Sequence, residues 1–203
     1  MSLKLLTTLD LMRHGEPVGG RKYRGQIDDP LSEKGWEQMR RVVGEKCPWQ
    51  MIVSSPLLRC AEFARELAER HGLPLELDVR LVELGFGEWE GCTAQELTAI
   101  DPDTLERFRH DPLSNAPPGA EPLVSFRDRI LEAWHSLTER HGGKHILVIV
   151  HAGVIRMLIA HVLEIPLQHL FRLQVPNAAI TRLRVERLGN VTFPQLLFHA
   201  GNI

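Results

Sequence analysis

The sequence predicts an α/β protein, a three-layer α/β/α sandwich around a mainly parallel sheet with one antiparallel edge strand. Three observations carry this. Strand-like and helix-like segments alternate through most of the 203 residues. The run Ile146-Leu147-Val148-Ile149-Val150 is continuously apolar and mostly β-branched, as a strand buried on both faces requires. Two C-terminal strand-like segments, 179–187 and 191–199, are separated only by Leu188-Gly189-Asn190, a hairpin spacing that makes one edge antiparallel.

Taken in order, residues 5–12 form the first strand and end in Arg13-His14-Gly15. Residues 15–30 are a polar, glycine-rich loop placed to contact a ligand. Ser32 opens a helix that carries Trp36, Met39, Val42 and Val43 toward about Cys47, where Pro48 ends it. The second strand is Met51–Ser54. Ser55 then reads as the N-cap of a helix with Pro56 at its first position, and the helix closes near His71-Gly72. Arg59 falls in its first turn.

A third strand is expected at 73–77, followed by an irregular loop at 78–91 with Glu83 near its centre and glycines among aromatics. Thr93 with Glu96 forms a capping box. A further short helix covers 104–109, and residues 111–122 hold Pro112, Pro117, Pro118, Gly119 and Pro122. That segment reads as a loop inside one domain spanning 1–203, because the flanking pieces are too small to fold alone. Residues 123–141 form a long helix with Phe126, Ile130, Leu131, Trp134 and Leu137 on one face. The continuous strand at 145–150 ends in His151-Ala152-Gly153. An apolar helix follows at 154–163, then a short helical turn at 167–171.

Composition narrows the function. With 24 Lys+Arg against 26 Asp+Glu, the net charge of -2 argues against nucleic acid or an anionic membrane as a partner. Three unpaired cysteines argue against a disulfide framework or a structural zinc site, and for a reducing cytoplasm. No signal peptide or spanning segment is read, and no metal or cofactor is called for. The C-terminal hairpin offers an edge for pairing in a homodimer.

Parallel strands bring Arg13, His14, Arg59 and His151 to one sheet edge, where ligands of such folds bind. Two arginines and two histidines repel one another until an anion arrives. A phosphoryl group matches guanidinium forks two oxygens at a time. Ala152, directly after His151, adds backbone N–H groups at a helix start. In the loop, Arg21, Lys22 and Arg24 either grip the far end of a substrate or form a solvated surface. Tyr23 either stacks on a substrate ring or packs. Glu88 and Glu90 rival Glu83 as the acid.

The ordered set Arg13-His14-Gly15, Ser54-Ser55-Pro56 with Arg59, Glu83 before an aromatic-glycine loop, and His151-Ala152-Gly153 resembles the histidine phosphatase superfamily, from about Leu9 to the C-terminal hairpin. The resemblance implies a phosphoglycerate mutase-like fold and a phosphomonoesterase acting on a small-molecule phosphate ester without a metal. It implies His14 as nucleophile, Glu83 as general acid, and Arg13, Arg59 and His151 as the phosphoryl pocket, with Arg24, Tyr23 and Ala152 as further substrate contacts. The chain lacks the Ser-x-Trp-Asn and Arg-His-Tyr-Gly stretches of the mutases, and Leu84–Gly91 resembles the phosphatase branch, α-ribazole phosphatases in particular. This implies α-ribazole 5′-phosphate of cobalamin biosynthesis as substrate, with a phosphoglycerate mutase or broad-specificity sugar phosphatase as the alternative. A non-enzymatic phospho-ligand module is the alternative of another class, although such modules normally lose the nucleophile or the acid. Gly119-Ala120-Glu121-Pro122 departs from the Gly-Glu-Ser of many phosphatases.

Overall fold

The computed structural model describes residues 4–189 and 191–201. One six-stranded sheet organises them: β1 (Lys4–Arg13), β2 (Met51–Ser54), β3 (Leu75–Leu77), β4 (His145–Val150), β5 (Ile180–Leu188) and β6 (Val191–Gly201), in the spatial order β3-β2-β4-β1-β5-β6. The strands β1, β2, β3 and β4 pair in parallel, while β5 runs against both β1 and β6. The reversal predicted from the hairpin is therefore made by β5, and β6 closes that edge. Asn190, expected in the hairpin turn, lies outside the described residues.

The centre of the sheet is buried on both faces, which is why β4 is apolar throughout after His145. Ile146, Val148 and Val150 join Leu9, Leu11, Met51 and Val53 in the core beneath α5 (Leu123–Arg140) and α6 (Ala152–Val162). Leu147 and Ile149 point the other way, with Met12 and Ile52, toward α1 (Glu33–Val43) and α2 (Leu58–His71). Each such side chain contributes about 1.5–3 kcal/mol when fully buried. Two short helices, α3 (Ala94–Ile100) and α4 (Thr104–His110), pack Leu97, Leu105 and Phe108 with Trp89 of the preceding loop into a separate cluster. The Thr93–Glu96 capping box is present at α3.

Asp10 is the one charge inside β1, and it is fully buried. Arg182 grips it at 2.7 and 2.9 Å, His145 at 2.9 Å and the Trp49 indole N–H at 2.8 Å. Burial pushes its carboxyl up, but these donors outweigh that and hold it below the usual value. An unpaired charge here would cost several kcal/mol.

Two boundaries differ from expectation. Helix α1 stops at Val43 rather than near Cys47, because Gly44 takes a positive φ of 55° and its N–H turns back to the Arg40 carbonyl. Ser55 is not the cap of α2. That helix begins at Leu58, with Leu57 at the cap position and no side-chain cap bond. Its first N–H instead donates to Asp28 of the 15–30 loop at 2.6 Å. Among the described residues no helix is long and apolar enough to cross a membrane.

Candidate active site

The parallel register sets the site. Arg13 lies beside Val150, and Ser54 beside Ile149. The pairing continues one residue further: His14 N–H donates to Val150 O at 3.0 Å, and Ser55 N–H to Ile149 O at 3.0 Å. His14 and His151 therefore leave neighbouring strands side by side, rings edge to face with centroids 5.2 Å apart. Both are buried, at 6% and 0% exposure.

His14 has a defined tautomer. Its Nδ1 lies 2.7 Å from the Gly15 carbonyl. A carbonyl only accepts, so Nδ1 carries the proton and Nε2 keeps its lone pair. Gly15 is fixed in turn by close backbone packing: a Cβ there would stand 2.2 Å from Gly35 O. Burial first, then the Arg13 and Arg59 charges, hold the His14 imidazole well below its ordinary pKa. Burial, Arg59 and His14 do the same to His151. Both rings are neutral at neutral pH. The Ser55 hydroxyl shares a hydrogen bond of 2.8 Å with His151 Nε2 and also accepts the Leu57 N–H at 3.4 Å. The Cys60 thiol lies 3.7 Å from the same atom, and burial pushes its pKa up, so it stays uncharged.

The arginines are held from behind. Arg59 is 1% exposed and donates from Nη1 to Ile27 O at 2.6 Å and from Nη2 to Gly25 O at 2.8 Å. Arg13 Nη1 donates to Val175 O at 2.5 Å. The Nε of each is buried with no hydrogen-bond partner. Two buried, unpaired N–H donors on cations are costly unless an acceptor arrives. Burial, with repulsion from Arg156, Arg21 and Arg59, brings Arg13 down to about 10 despite attraction to Glu83. It remains charged at neutral pH.

Glu83 sits opposite, half-buried. Its Oε1 accepts from Leu84 N–H at 2.9 Å and its Oε2 from Gly153 N–H at 3.1 Å, in the first turn of α6. The other two glutamates of this loop are placed as follows. Glu90 Oε1 is used by the N–H groups of Phe86 at 2.9 Å and Gln26 at 3.1 Å, and Glu88 is exposed. The structure thus gathers Arg13, His14, Arg59, Glu83, His151 and Ala152 at the ends of β1, β2 and β4.

Two expected substrate contacts, Arg24 and Tyr23, are also held by neighbours within the fold. Arg24 is buried and braces its own loop: Nε donates to Asp29 at 2.9 Å, and Nη2 to the carbonyls of Val18 at 2.5 Å and Gly20 at 2.6 Å. Tyr23 is edge-packed on Phe86 and Trp89, with centroids 5.3 and 5.2 Å apart, so its ring is fixed in the aromatic cluster. Sequence reasoning missed Arg156. It is the only arginine or lysine in α6, five residues after His151. Its Nε donates to Leu173 O at 2.8 Å, its guanidinium lies over Phe171, and it interacts electrostatically with Glu83 and Tyr23. A lone arginine in an otherwise apolar helix was the available signal. Among the described residues no cluster of three or more His, Cys, Asp or Glu forms a metal site.

The chain is similar to several known proteins. The family model for the histidine phosphatase superfamily (branch 1) matches residues 9–192. A glucosyl-3-phosphoglycerate phosphatase of Mycolicibacterium vanbaalenii is 32% identical over 173 residues, 79% of this chain and 76% of the relative. Phosphoserine phosphatase 1 of Hydrogenobacter thermophilus is 28% identical over 192 residues, 92% of this chain and 90% of the relative. The native structure of a mycobacterial glucosyl-3-phosphoglycerate phosphatase superposes with a TM-score of 0.84 at 28% identity, covering 97% of this chain and 100% of that one. An α-ribazole phosphatase from Shigella flexneri gives 0.76 at 25% identity, with 96% of each chain covered.

Proposed function

This chain belongs to the histidine phosphatase superfamily and is a phosphatase, and from that premise we propose that it hydrolyses a small carboxylate-bearing phosphate monoester through a phosphohistidine on His14. The observation that carries the mechanism is the His14 tautomer. A neutral ring donates Nδ1–H to Gly15 O and keeps Nε2 free beside two cations with unpaired Nε donors.

In the first step the Nε2 lone pair attacks phosphorus and the bond to the ester oxygen breaks. The carboxyl proton of Glu83 passes to the departing alkoxide. Arg13, Arg59, neutral His151 and the Ala152 N–H hold the phosphoryl oxygens as charge shifts among them. In the second step the Glu83 carboxylate takes a proton from water, whose oxygen attacks phosphorus. The P–N bond breaks, the lone pair returns to Nε2, and inorganic phosphate leaves. Splitting one displacement into two is the gain from covalent catalysis. Loss of either His14 or Glu83 would leave a phospho-ligand binder, and the chain carries both residues.

For the substrate, Arg156 and Arg21 extend positive charge beyond Arg13. The relatives named for glucosyl-3-phosphoglycerate and phosphoserine act on esters that bear a carboxylate. The half-buried Tyr23 and Phe86 rings favour a second reading, a ring-bearing ester such as α-ribazole 5′-phosphate. The test is kcat/KM across phosphoserine, glucosyl-3-phosphoglycerate, α-ribazole 5′-phosphate and p-nitrophenyl phosphate, with 3-phosphoglycerate plus a bisphosphoglycerate primer to detect mutase activity. Preference for the two carboxylated esters by about tenfold or more supports the first reading. α-Ribazole 5′-phosphate as best substrate supports the second, and phosphoryl exchange between phosphoglycerates in place of hydrolysis would overturn both.

A further inference from the structure

Arg129, on α5, has no place in the phosphoryl pocket, yet all five of its N–H groups are spent near one backbone segment. Its Nη1 donates to the carbonyls of Arg80 at 2.6 Å and Val82 at 2.8 Å. Its Nη2 donates to the Glu83 carbonyl at 3.0 Å and to Glu121 Oε2 at 2.8 Å, and its Nε to Glu121 Oε1 at 2.7 Å. The guanidinium also lies 4.7 Å from the centre of the Phe126 ring, and Phe126 is fully buried. Glu121 holds the far side of the same segment: its Oε2 accepts from Gly85 N–H at 3.2 Å, and its own N–H donates to Gly85 O at 3.0 Å.

The backbone on either side of Glu83 is thus tied to one bidentate ion pair, with arginine and glutamate side chains only 20% and 18% exposed. The segment between residues 79 and 91 is mostly irregular and has no strand or long helix to fix it. A planar guanidinium is suited to this work: it supplies five donors in fixed directions, where lysine supplies three that rotate.

We infer that Arg129, locked by Glu121, is the positioning residue for the Glu83 general acid. This rests on the proposed role of Glu83. A displacement of about 1 Å at a reacting group costs on the order of a hundredfold in rate. Proton donation should suffer far more than attack by His14, because β1 positions the nucleophile independently.

The test compares phosphoenzyme formation, in single turnovers, from an alkyl phosphate such as phosphoserine and from p-nitrophenyl phosphate. The alkoxide needs a proton to leave, and the nitrophenolate does not. Arg129→Lys and Glu121→Gln should each slow the alkyl ester by about tenfold or more, while the aryl ester stays within about threefold. Thermal melting of both variants checks that they are folded, and Glu121→Gln, which keeps one acceptor oxygen, supplies the gentler perturbation. Equal losses on the two esters in folded protein would overturn the inference while leaving the phosphohistidine reading intact. Wild-type protein that forms no phosphoenzyme would remove that reading and this inference with it.

Discussion

Glu83 and Gly153 lie 70 residues apart in the chain, yet the Glu83 carboxylate accepts the Gly153 N–H at 3.1 Å. This one bond joins the acid loop to the helix that begins beside His151. It also explains why residue 153 is glycine: a Cβ there would stand 2.2 Å from Glu83 Oε1 and 3.4 Å from the Phe126 ring.

Gly153→Ala is therefore expected to damage catalysis more than folding. Alanine gains about 1 kcal/mol of helix propensity, and crowding costs about 1–3 kcal/mol, so stability should fall by at most about 2 kcal/mol. The displaced carboxylate should lower kcat on an alkyl phosphate by about a hundredfold. Steady-state kinetics with a parallel thermal melt checks this. A large fall in melting midpoint with kcat preserved would contradict the placement of Glu83.

The two buried histidines make stability depend on pH. Both have folded pKa values below the ordinary 6.5. As pH falls through 6.5 the unfolded chain takes up protons that the folded protein refuses, so stability is complete above that value and declines toward the depressed folded pKa values. The melting midpoint should fall between about pH 7.5 and pH 5. His14→Asn combined with His151→Asn should flatten that slope, because asparagine cannot take the proton. Saturating phosphate should also reduce it, since a bound anion favours the imidazolium. An unchanged slope in the double variant would place the titrating groups elsewhere.

Arg24 braces the loop whose Gly25 and Ile27 carbonyls anchor Arg59. Arg24→Met should speed limited proteolysis within residues 18–29 and raise KM for phosphate esters by about tenfold, and added inorganic phosphate should slow the cleavage again. If Arg24 served only to touch substrate, KM would rise with proteolysis unchanged.

Much of this site was legible because its residues sit where periodicity is plain. The apolar run of β4 announced a strand buried on both faces and so placed His151 at its end. The Leu9–Met12 run did the same for His14, and parallel pairing brought the two together. Ser55 was misread because a Ser-Pro pair before an apolar helix is the usual form of a cap. Its hydroxyl accepts the Leu57 N–H only at 3.4 Å, and its shorter bond is to His151, a partner 96 residues away. Arg24 was ambiguous for a related reason. A basic residue in a glycine-rich loop reads as a ligand contact, and only the fold shows its bonds to Val18, Gly20 and Asp29. Arg129 gave no local signal, since its partners at residues 80, 82, 83 and 121 come from loops without periodicity. The early end of α1 turned on the backbone conformation of Gly44, which apolar spacing through Val43 does not encode.

The most direct test of the account is to quench the protein during turnover of a radiolabelled phosphate monoester and map the label. The account predicts an acid-labile, base-stable phosphate on His14, absent from His14→Ala and accumulating in Glu83→Gln with an aryl ester, whose hydrolysis step lacks its base. Label on another residue, or a His14→Ala protein that turns over at the wild-type rate, would contradict it.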